Sequence, residues 1–496
     1  MHVIPPLFIA LPLGSAFLIA LLKKRRFADF LTSLCTFCLL LLSLYSIFLV
    51  RRHGIIVYRM GSWIPPVGIS VVLDGLSIFL LVTVNLVSFF AAFYSIDYMQ
   101  KYTAKSKFYA LFLLMLTGMN GVIITGDVFN LFVFLELAGV ASYALVAFGT
   151  EAEELEASFK YMVLSVIATS FVLLGVGMLY SYTSTLNMAD MAKNLSDQGA
   201  GKPVLFAGVL FLSGFGLKAA IVPFHAWLPD AHPSAPAPIS AMLSGVLIKA
   251  LGIYAILRIF FCIFGASPVF LETLCILGIM SMMVGVILAI GQWDLKRLLA
   301  YHSISQIGYV ILGIGLGTPL GILGGLFHLF NHSIFKSLLF LNSGGVDYAA
   351  GTRDLQKMGG LGEKMPVTEK TCLTASMAIS GIPPFNGFWS KIIIIIACIQ
   401  AGRVGFAFWA VLGSILTLSS FTKVMRYAFH GHARCVIDKI KEVPFNMRFS
   451  MVILALICLA GGLLALPFLR DGFLQPAVDV LLNGKNYAAA VSAALK

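Results

Sequence analysis

The sequence is poor in charged residues. Only 11% of its 496 residues are Asp, Glu, Lys or Arg, whereas 59% are hydrophobic. About a quarter of an ordinary soluble domain is charged, so a soluble protein of this composition could not cover its surface with polar groups. The composition therefore excludes a soluble globular domain and favours a protein that lies in a lipid bilayer.

The sequence also lacks the motifs of cofactor and metal sites. Its eight cysteines are scattered, and the one CxxC spacing, Cys35 to Cys38, lies in a Leu- and Phe-rich run without a second pair. A structural zinc site needs four ligands. No haem, iron–sulfur, nucleotide or flavin motif occurs. We therefore expect no cofactor, no metal site and no catalytic residue in this chain.

The net charge of +12 does not indicate a nucleic-acid partner. The basic residues are concentrated in short loops beside apolar runs, as at 23–26, 101–107 and 434–441. That pattern is typical of the signals that orient helices in a membrane. The first apolar run ends in Lys-Lys-Arg-Arg without a small-residue cleavage site, so we expect a retained helix rather than a signal peptide.

Long apolar runs are what the sequence has in abundance. Runs of about 17–25 residues match about 30 Å of hydrocarbon, and a chain that crosses lipid there must be helical to satisfy its backbone. An amino terminus outside places most Lys- and Arg-bearing loops inside, so both termini are predicted outside. We predict an all-α polytopic membrane protein of about fourteen helices, at 4–22, 27–50, 71–98, 108–126, 128–149, 159–182, 204–224, 239–262, 268–290, 299–317, 320–345, 370–400, 404–429 and 449–469.

Two of these spans are interrupted by proline. The stretches 221–227 and 382–388 both read Ile-x-Pro-Phe-x-x-aromatic, with predicted breaks at Pro223 and at Pro383 and Pro384. Proline removes a backbone donor, and broken helices in corresponding halves indicate repeated transporter units. The breaks lie an odd number of spans apart, which predicts two inverted five-helix repeats; two unrelated kinks are the alternative. The predicted divisions are 1–107, 108–262 for the first repeat, 268–429 for the second, and 430–496.

Several titratable residues lie inside the apolar runs. A charge at the bilayer centre costs at least about 2.5–3.5 kcal/mol, so each needs a reason. A buried lysine gives up its proton more readily than one in water, a nearby carboxylate opposes that loss, and histidine exchanges protons near neutral pH. We predict a proton pathway and a second set of relay residues: Glu136, Lys218, Lys249, His328 and Lys391, with His225, His232, His332 and Lys336 as the second set.

Structural roles remain open for these residues. Glu136 could be a static ion-pair partner of the lysines, and Lys391 could extend its ammonium towards a helix end. His225 and His232 could satisfy loop hydrogen bonds beside the prolines. The histidines at 328 and 332 could form half of a metal site, but no third ligand is near in sequence.

The order of these residues resembles a known family, the antiporter-like subunits shared by Mrp-type cation/proton antiporters, respiratory complex I and energy-converting membrane-bound hydrogenases. The resemblance covers most of the chain, and the seventh-span stretch is highly specific. The matching stretches are 126–136, 156–161, 216–232, 294–308, 332–340 and 381–391.

The resemblance implies a specific assignment of roles. A glutamate–lysine pair falls on Glu136 and Lys218, a central lysine on Lys249, a histidine on His328 and an exit lysine on Lys391. It also implies other membrane subunits as partners, H⁺ with Na⁺ as an open second ion, no redox cofactor, and a prokaryotic cell (inner) membrane.

Two features depart from the largest members of that family. Leu135 stands where many complex I members have Trp, and the chain ends soon after the last predicted span, without a long lateral helix. The chain is most similar to the D-type chain of Mrp antiporters or its hydrogenase counterpart. We expect a proton-conducting subunit of a larger complex. The alternatives are a structural membrane anchor of a redox complex and a stand-alone substrate transporter, although basic groups dominate the predicted interior.

Overall fold

The computed structural model describes residues 3–199, 201–432 and 440–494, so most of the predicted basic loop at 434–441 lies outside the described residues. The chain begins with α1 (Ile4–Leu22) and α2 (Arg25–His53), followed by an antiparallel hairpin of β1 (Ile56–Arg59) and β2 (Ser70–Leu73). Then comes α3 (Gly75–Tyr98) with a 3₁₀ turn, Met99–Lys101.

The hairpin corrects one sequence expectation. The apolar pattern predicts that the third span begins at residue 71, but Ser70–Leu73 is a strand that pairs with Ile56–Arg59. The helix begins only after Asp74, whose carboxylate accepts a hydrogen bond from the Ser77 amide at 2.9 Å. The strand Ser70–Leu73 was predicted as helix, because composition does not distinguish a short buried strand from the first turn of a helix.

Six helices and one short segment follow: α4 (Lys105–Ile124), α5 (Val128–Val146), α6 (Ala152–Thr183), α7 (Met188–Gln198), α8 (Lys202–Lys218), α9 (Leu228–Ser234) and α10 (Ala237–Ile263). The next six are α11 (Pro268–Ile290), α12 (Leu295–Gly315), α13 (Pro319–Ala350), α14 (Pro366–Ser380), α15 (Asn386–Gln400) and α16 (Val404–His430). The described chain closes with α17 (Phe445–Ala465), α18 (Pro467–Phe473), α19 (Gln475–Leu482) and α20 (Tyr487–Ala494).

Within the described residues, eleven helices are long and apolar enough to cross a membrane. The other three predicted spans fall on α8 with α9, on α14 with α15, and on α13, which is less apolar because it carries polar side chains. The total of fourteen spans stays a prediction. The bundle is centred on α10, α12 and α13, whose side chains are almost all buried, whereas α1, α2 and α6 expose most of their apolar surface.

The helices α5 and α12 begin in the same way, each with an aspartate cap that also forms a β-bridge. Asp127 caps α5 by accepting from the Asn130 amide at 2.7 Å, and it forms an antiparallel bridge with Asn187 after α6. Asp294 caps α12 by accepting from the Arg297 amide at 2.8 Å and forms the matching bridge with Asp354 after α13. The same cap and bridge therefore occur once in each of the two predicted repeats, and the division into repeats at 108–262 and 268–429 stays a prediction.

Candidate functional site

Both predicted helix breaks are present. In the first repeat α8 ends at Lys218, earlier than the predicted residue 224, and the chain runs through turns until α9 begins at Leu228. In the second repeat α14 ends at Ser380 and α15 begins at Asn386. Carbonyl groups near the breaks are satisfied by side chains, since the Trp227 indole donates to Leu217 O at 2.9 Å and Lys391 Nζ donates to Ile379 O at 2.8 Å.

Lys218 lies in a pocket of hydroxyl groups. Its side chain is buried, and Nζ donates to Ser165 Oγ, which also accepts from the Tyr143 hydroxyl. A Cβ at Gly139 would lie 3.7 Å from Lys218 Nζ, so the ammonium packs against α5 one turn from Glu136. The lysine is therefore held by neutral oxygens at the point where the helix ends.

Glu136 is half-buried on α5, between the exposed Val133 and Val140. Its Oε1 atom is buried and has no hydrogen-bond partner in the part of the chain that the structure describes. Glu136 lies one turn from Gly139, the position that packs against Lys218 Nζ, but no ion pair within 4.0 Å joins Glu136 and Lys218 among the described residues. The structure thus brings the predicted pair together in one region with the two charges apart.

Lys249 is fully buried in α10. Around it the helix widens into π-helical turns, Leu243–Leu247 and Lys249–Tyr254. Its Nζ donates to the carbonyl of Ser244, and Ser244 Oγ lies 2.7 Å from Ser303 Oγ on α12. A π-helical turn leaves a carbonyl free that an ordinary α-helix would engage, and π-bulges of this kind are frequent at functional sites.

His328, on α13, has a partner at each ring nitrogen. Nδ1 lies 3.0 Å from Ser390 Oγ, and Nε2 lies 3.2 Å from Gln306 Oε1. With the Gln306 amide oxygen facing the ring, Nε2 can carry a proton and donate it to Gln306. The neutral ring then accepts at Nδ1 from the Ser390 hydroxyl. The protonated ring donates there instead, while that hydroxyl turns to Gly387 O at 3.2 Å.

The second set of predicted residues divides between two places. His332 and Lys336 are fully buried on α13, and His232 on α9 stacks on Phe340 with ring centroids 4.7 Å apart. Neither nitrogen of His232 or His332, nor Lys336 Nζ, has a hydrogen-bond partner among the described residues. Buried polar atoms without protein partners are usually satisfied by ordered water. His225 lies apart from them, half-buried in the turn after Pro223.

Lys391 is buried beside the second break. Its Nζ lies 4.6 Å from the centre of the Tyr309 ring and donates to Ile379 O in the last turn of α14, so the ammonium is buried between the two broken halves and Tyr309. It lines a cavity of about 210 Å³ together with Ser380, Ser414 and apolar residues of α15 and α16. This orientation disagrees with the alternative in which Lys391 extends towards the membrane surface.

The structure adds residues that the sequence did not single out. Lys296 belongs to a charged turn in the sequence, but its side chain is buried and Nζ donates to Ala235 O at 2.7 Å. It lies at a cavity of about 510 Å³, the Lys296 cavity, whose lining includes Lys101, Glu151, Asp347 and Arg353. Ser165, Tyr143, Ser390 and Gln306 were missed as well, because only their contacts with Lys218 and His328 distinguish them.

The chain has counterparts among known proteins. A family profile described as NADH:quinone oxidoreductase/Mrp antiporter, TM, matches residues 125–417. A second, NADH-Ubiquinone oxidoreductase (complex I), chain 5 N-terminus, matches residues 63–109. The chain belongs to the NADH:quinone oxidoreductase/Mrp antiporter family.

Individual members of the family match along most of their length. The chain is 35% identical to the D-type chain of the Na(+)/H(+) antiporter of Alkalihalophilus pseudofirmus over 479 residues, 96% of each chain. It is 39% identical to the N-type chain of the NADH-quinone oxidoreductase of Desulforudis audaxviator over 377 residues, 75% of each.

Solved structures have the same fold throughout. A chain of the Mrp complex from Dietzia sp. DQ12-45-1b superposes with a TM-score of 0.91 at 29% identity, covering 99% of this chain and 100% of the other. A chain of the membrane-bound sulfane sulfur reductase, an archaeal respiratory membrane complex, gives 0.91 at 31% identity with the same coverage. The family and the multi-pass, antiporter-like fold expected from the sequence are confirmed.

Proposed function

We propose that this family member translocates protons along Lys218, Lys249, His328 and Lys391, and that Glu136 controls the charge of Lys218. The observation that supports the proposal is the partnering of the buried lysines. Lys218, Lys249 and Lys391 each donate to a hydroxyl or a carbonyl, and no carboxylate lies within 4.0 Å of them among the described residues. A buried ammonium without a counter-charge is costly, so these groups can exchange between charged and neutral forms.

The hydrogen bonds of His328 suit a group that changes its protonation state. Both ring forms keep partners on both nitrogens, because the Ser390 hydroxyl can either donate to the ring or turn to Gly387 O. The unpartnered atoms of His332, Lys336 and His232 would be bridged by water. A proton could then cross between Lys249 and Lys391 without leaving a buried polar atom unsatisfied.

Two cavities lie beside buried lysines, one at Lys296 and one at Lys391 of the proposed route. The Lys296 cavity lies on the face that carries the loops around 23–26, 99–104 and 351–365, and it reaches towards α9 and α12. The cavity at Lys391 lies at the second break, between α15 and α16. With both termini outside, as the distribution of basic loops favours, protons would be taken up on the inside and released near Lys391.

The repeats at 108–262 and 268–429 would act as two linked half-channels. The structural relatives named above are chains of Mrp and respiratory membrane complexes, so this chain would work with other membrane subunits in a prokaryotic cell (inner) membrane. Na⁺ occurs in the name of the Alkalihalophilus relative. We propose that H⁺ is the ion that moves along Lys218, Lys249, His328 and Lys391. Any Na⁺ would be transported by other subunits of the complex.

Transport by the assembled complex in vesicles tests this proposal. We expect Glu136→Gln and Lys218→Ala to abolish ion transport while blue-native gels still show the full complex. Lys202→Ala, which removes an exposed lysine from the first turn of the same helix as Lys218, should transport normally. Wild-type rates in both buried variants would refute the assignment.

The same measurements separate the structural alternative. A membrane anchor without conduction predicts that Glu136→Gln and Lys218→Ala reduce the amount of assembled complex. It also predicts that the complexes that do form transport at the normal rate. Rate per assembled complex is therefore the quantity to compare.

A further inference from the structure

A groove lies between the carboxyl end of α1 and the amino end of α4, and none of the residues that line the Lys296 cavity line it. Its volume is about 540 Å³, and we call it the α1–α4 groove. Its deeper walls are apolar, formed by Ile19, Ala20, Ala110 and Leu111. Its rim is basic, formed by Lys23, Arg25 and Lys107 with Thr103 and Ser106 between them.

The basic rim has no counter-charge of its own. Among the described residues no acidic side chain lines the groove, and Asp29 nearby is already engaged with Lys105 at 2.7 Å. The Arg25 guanidinium is held across the rim by donating to Thr103 O at 2.8 Å. The rim therefore presents three positive charges, of which Arg25 is held in place by this hydrogen bond, with no acidic side chain of the groove lining beside them.

The spacing of charge and apolar surface matches one kind of molecule. Ala20 precedes Lys23 by three residues and Ala110 follows Lys107 by three, so the apolar walls lie about 5 Å deeper along the helices than the basic groups. The helices α1 and α4 are apolar enough to cross the membrane, which places the rim at headgroup level. Basic pockets between transmembrane helices at that level suit anionic phospholipid headgroups.

We propose that the α1–α4 groove binds an anionic phospholipid. The phosphodiester lies between Lys23, Arg25 and Lys107, and an acyl chain runs along Ile19, Ala20, Ala110 and Leu111. A zwitterionic lipid would bring its own cationic headgroup next to a rim that is already basic, and the like charges would repel. Free phosphate would satisfy the rim and leave the apolar walls bare, so charge and apolar surface together favour the lipid.

The test uses the intact complex in vesicles with a phosphatidylglycerol that carries a photoreactive diazirine in its acyl chain. After illumination, labelled peptides are quantified by mass spectrometry, with a phosphatidylcholine probe as the comparison. We expect the anionic probe to label the segments 19–22 and 108–111 at least fivefold more than the zwitterionic probe. Equal labelling by the two probes would overturn the proposal.

Charge-matched variants sharpen the result. Each basic side chain near an anionic headgroup contributes roughly fivefold to binding, so Lys23→Gln with Arg25→Gln should lower labelling by at least about tenfold. Lys24→Gln with Arg26→Gln removes the same charge from exposed neighbours that do not line the groove, and labelling should persist. Equal loss in both pairs would indicate general surface attraction and refute a site.

Two further measurements distinguish other occupants. Ala110→Trp fills the groove without changing its charge, and it should also abolish labelling in complexes that assemble normally; persistent labelling would refute the acyl-chain position. Inorganic phosphate should not compete with the probe, and competition would assign the rim to free phosphate instead. Labelling in the isolated chain but not in the complex would mean that a neighbouring protein covers the groove, which also refutes the proposal.

Discussion

Two basic residues on α10 have opposite environments. Arg258 forms a bidentate ion pair with Asp74, with nitrogen–oxygen distances of 2.6 and 2.9 Å, and also donates to the Tyr254 hydroxyl at 3.0 Å. Lys249 lies nine residues earlier on the same helix and is equally buried, yet among the described residues it donates only to the carbonyl of Ser244. Burial is the same at the two positions, and the counter-charge is what differs.

The difference separates charges that hold the fold from charges that can move. A planar guanidinium engaged by both oxygens of a carboxylate is fixed in geometry and stays ionised. A buried ammonium with only a carbonyl partner lacks that stabilisation, so it can lose its proton without breaking an ion pair. The paired residues then serve as anchors of α3 and α10, and the unpaired lysines are the candidates for conduction.

Breaking the paired charge should have the largest effect. Asp74→Asn leaves the Arg258 guanidinium buried without a counter-charge, which costs about 3–5 kcal/mol. We expect the assembled complex to be lost or its midpoint of thermal unfolding to fall sharply. Asp74→Asn with Arg258→Met should recover part of that stability, because no uncompensated charge then remains. A single variant with wild-type thermal stability would contradict the role of an anchor.

Removing the unpaired charge should have the reverse pattern. Lys249→Met deletes a buried ammonium that no carboxylate stabilises, so the stability of the complex should change little while ion transport falls more than tenfold. Lys364→Met, at an exposed loop position, is the control and should leave both unchanged. Transport rates in vesicles and thermal unfolding of the same preparations provide the measurements. Loss of stability without loss of transport would show that Lys249 stabilises the fold and does not conduct protons.

An intermediate effect is expected at the hydroxyl beside His328. Ser390→Ala removes the group that donates to the neutral ring and accepts from the protonated one, which costs about 1 kcal/mol, roughly fivefold in transport rate. Ser390→Thr keeps the hydroxyl and should transport close to the wild-type rate. If Ser390→Ala equals wild type, His328 does not depend on this exchange of hydrogen bonds.

The smallest effect should come from the repeat counterpart of Glu136. Glu136 follows the cap residue Asp127 by nine residues, and Ser303 follows the cap residue Asp294 by the same number. Ser303 makes a neutral hydrogen bond to Ser244 at 2.7 Å, so Ser303→Ala should lower transport less than about fivefold. Glu136→Gln should abolish it. Equal effects of the two substitutions would show that the carboxylate of Glu136 and the hydroxyl of Ser303 contribute alike to transport.

Sequence reasoning located much of this arrangement. Long apolar runs placed most helices within a few residues, because hydrocarbon thickness sets their length, although the start of α6 and the end of α8 differ by seven and six residues. Proline located both breaks, because it lacks a backbone donor. The charged positions at Glu136, Lys218, Lys249 and Lys391 stood out, because a charge inside an apolar run is costly. Each of these signals is local in the chain.

Other features were not predictable in this way. The strand Ser70–Leu73 has the apolar composition of a helix turn, and only its pairing with Ile56–Arg59 identifies it. Lys296 follows Asp294 and precedes Arg297, so it resembles a surface residue until Ala235 and the cavity are placed around it. The amphipathic α7 and the short helices after residue 466 were missed for lack of long apolar runs.

The sequence by itself determined that this protein lies in a membrane, where its helices break, and that a charge inside an apolar run, such as Lys249, is costly to bury. It did not single out Arg258, which lies in the same apolar run. Only the tertiary structure decided which of those buried charges have partners. Arg258 meets Asp74 from 184 residues away, whereas Lys249 meets a carbonyl of its own helix. Burial follows from local composition, but neutralisation requires a second group brought close by folding. A pathway of unpaired lysines can therefore be distinguished from a structural ion pair only in three dimensions.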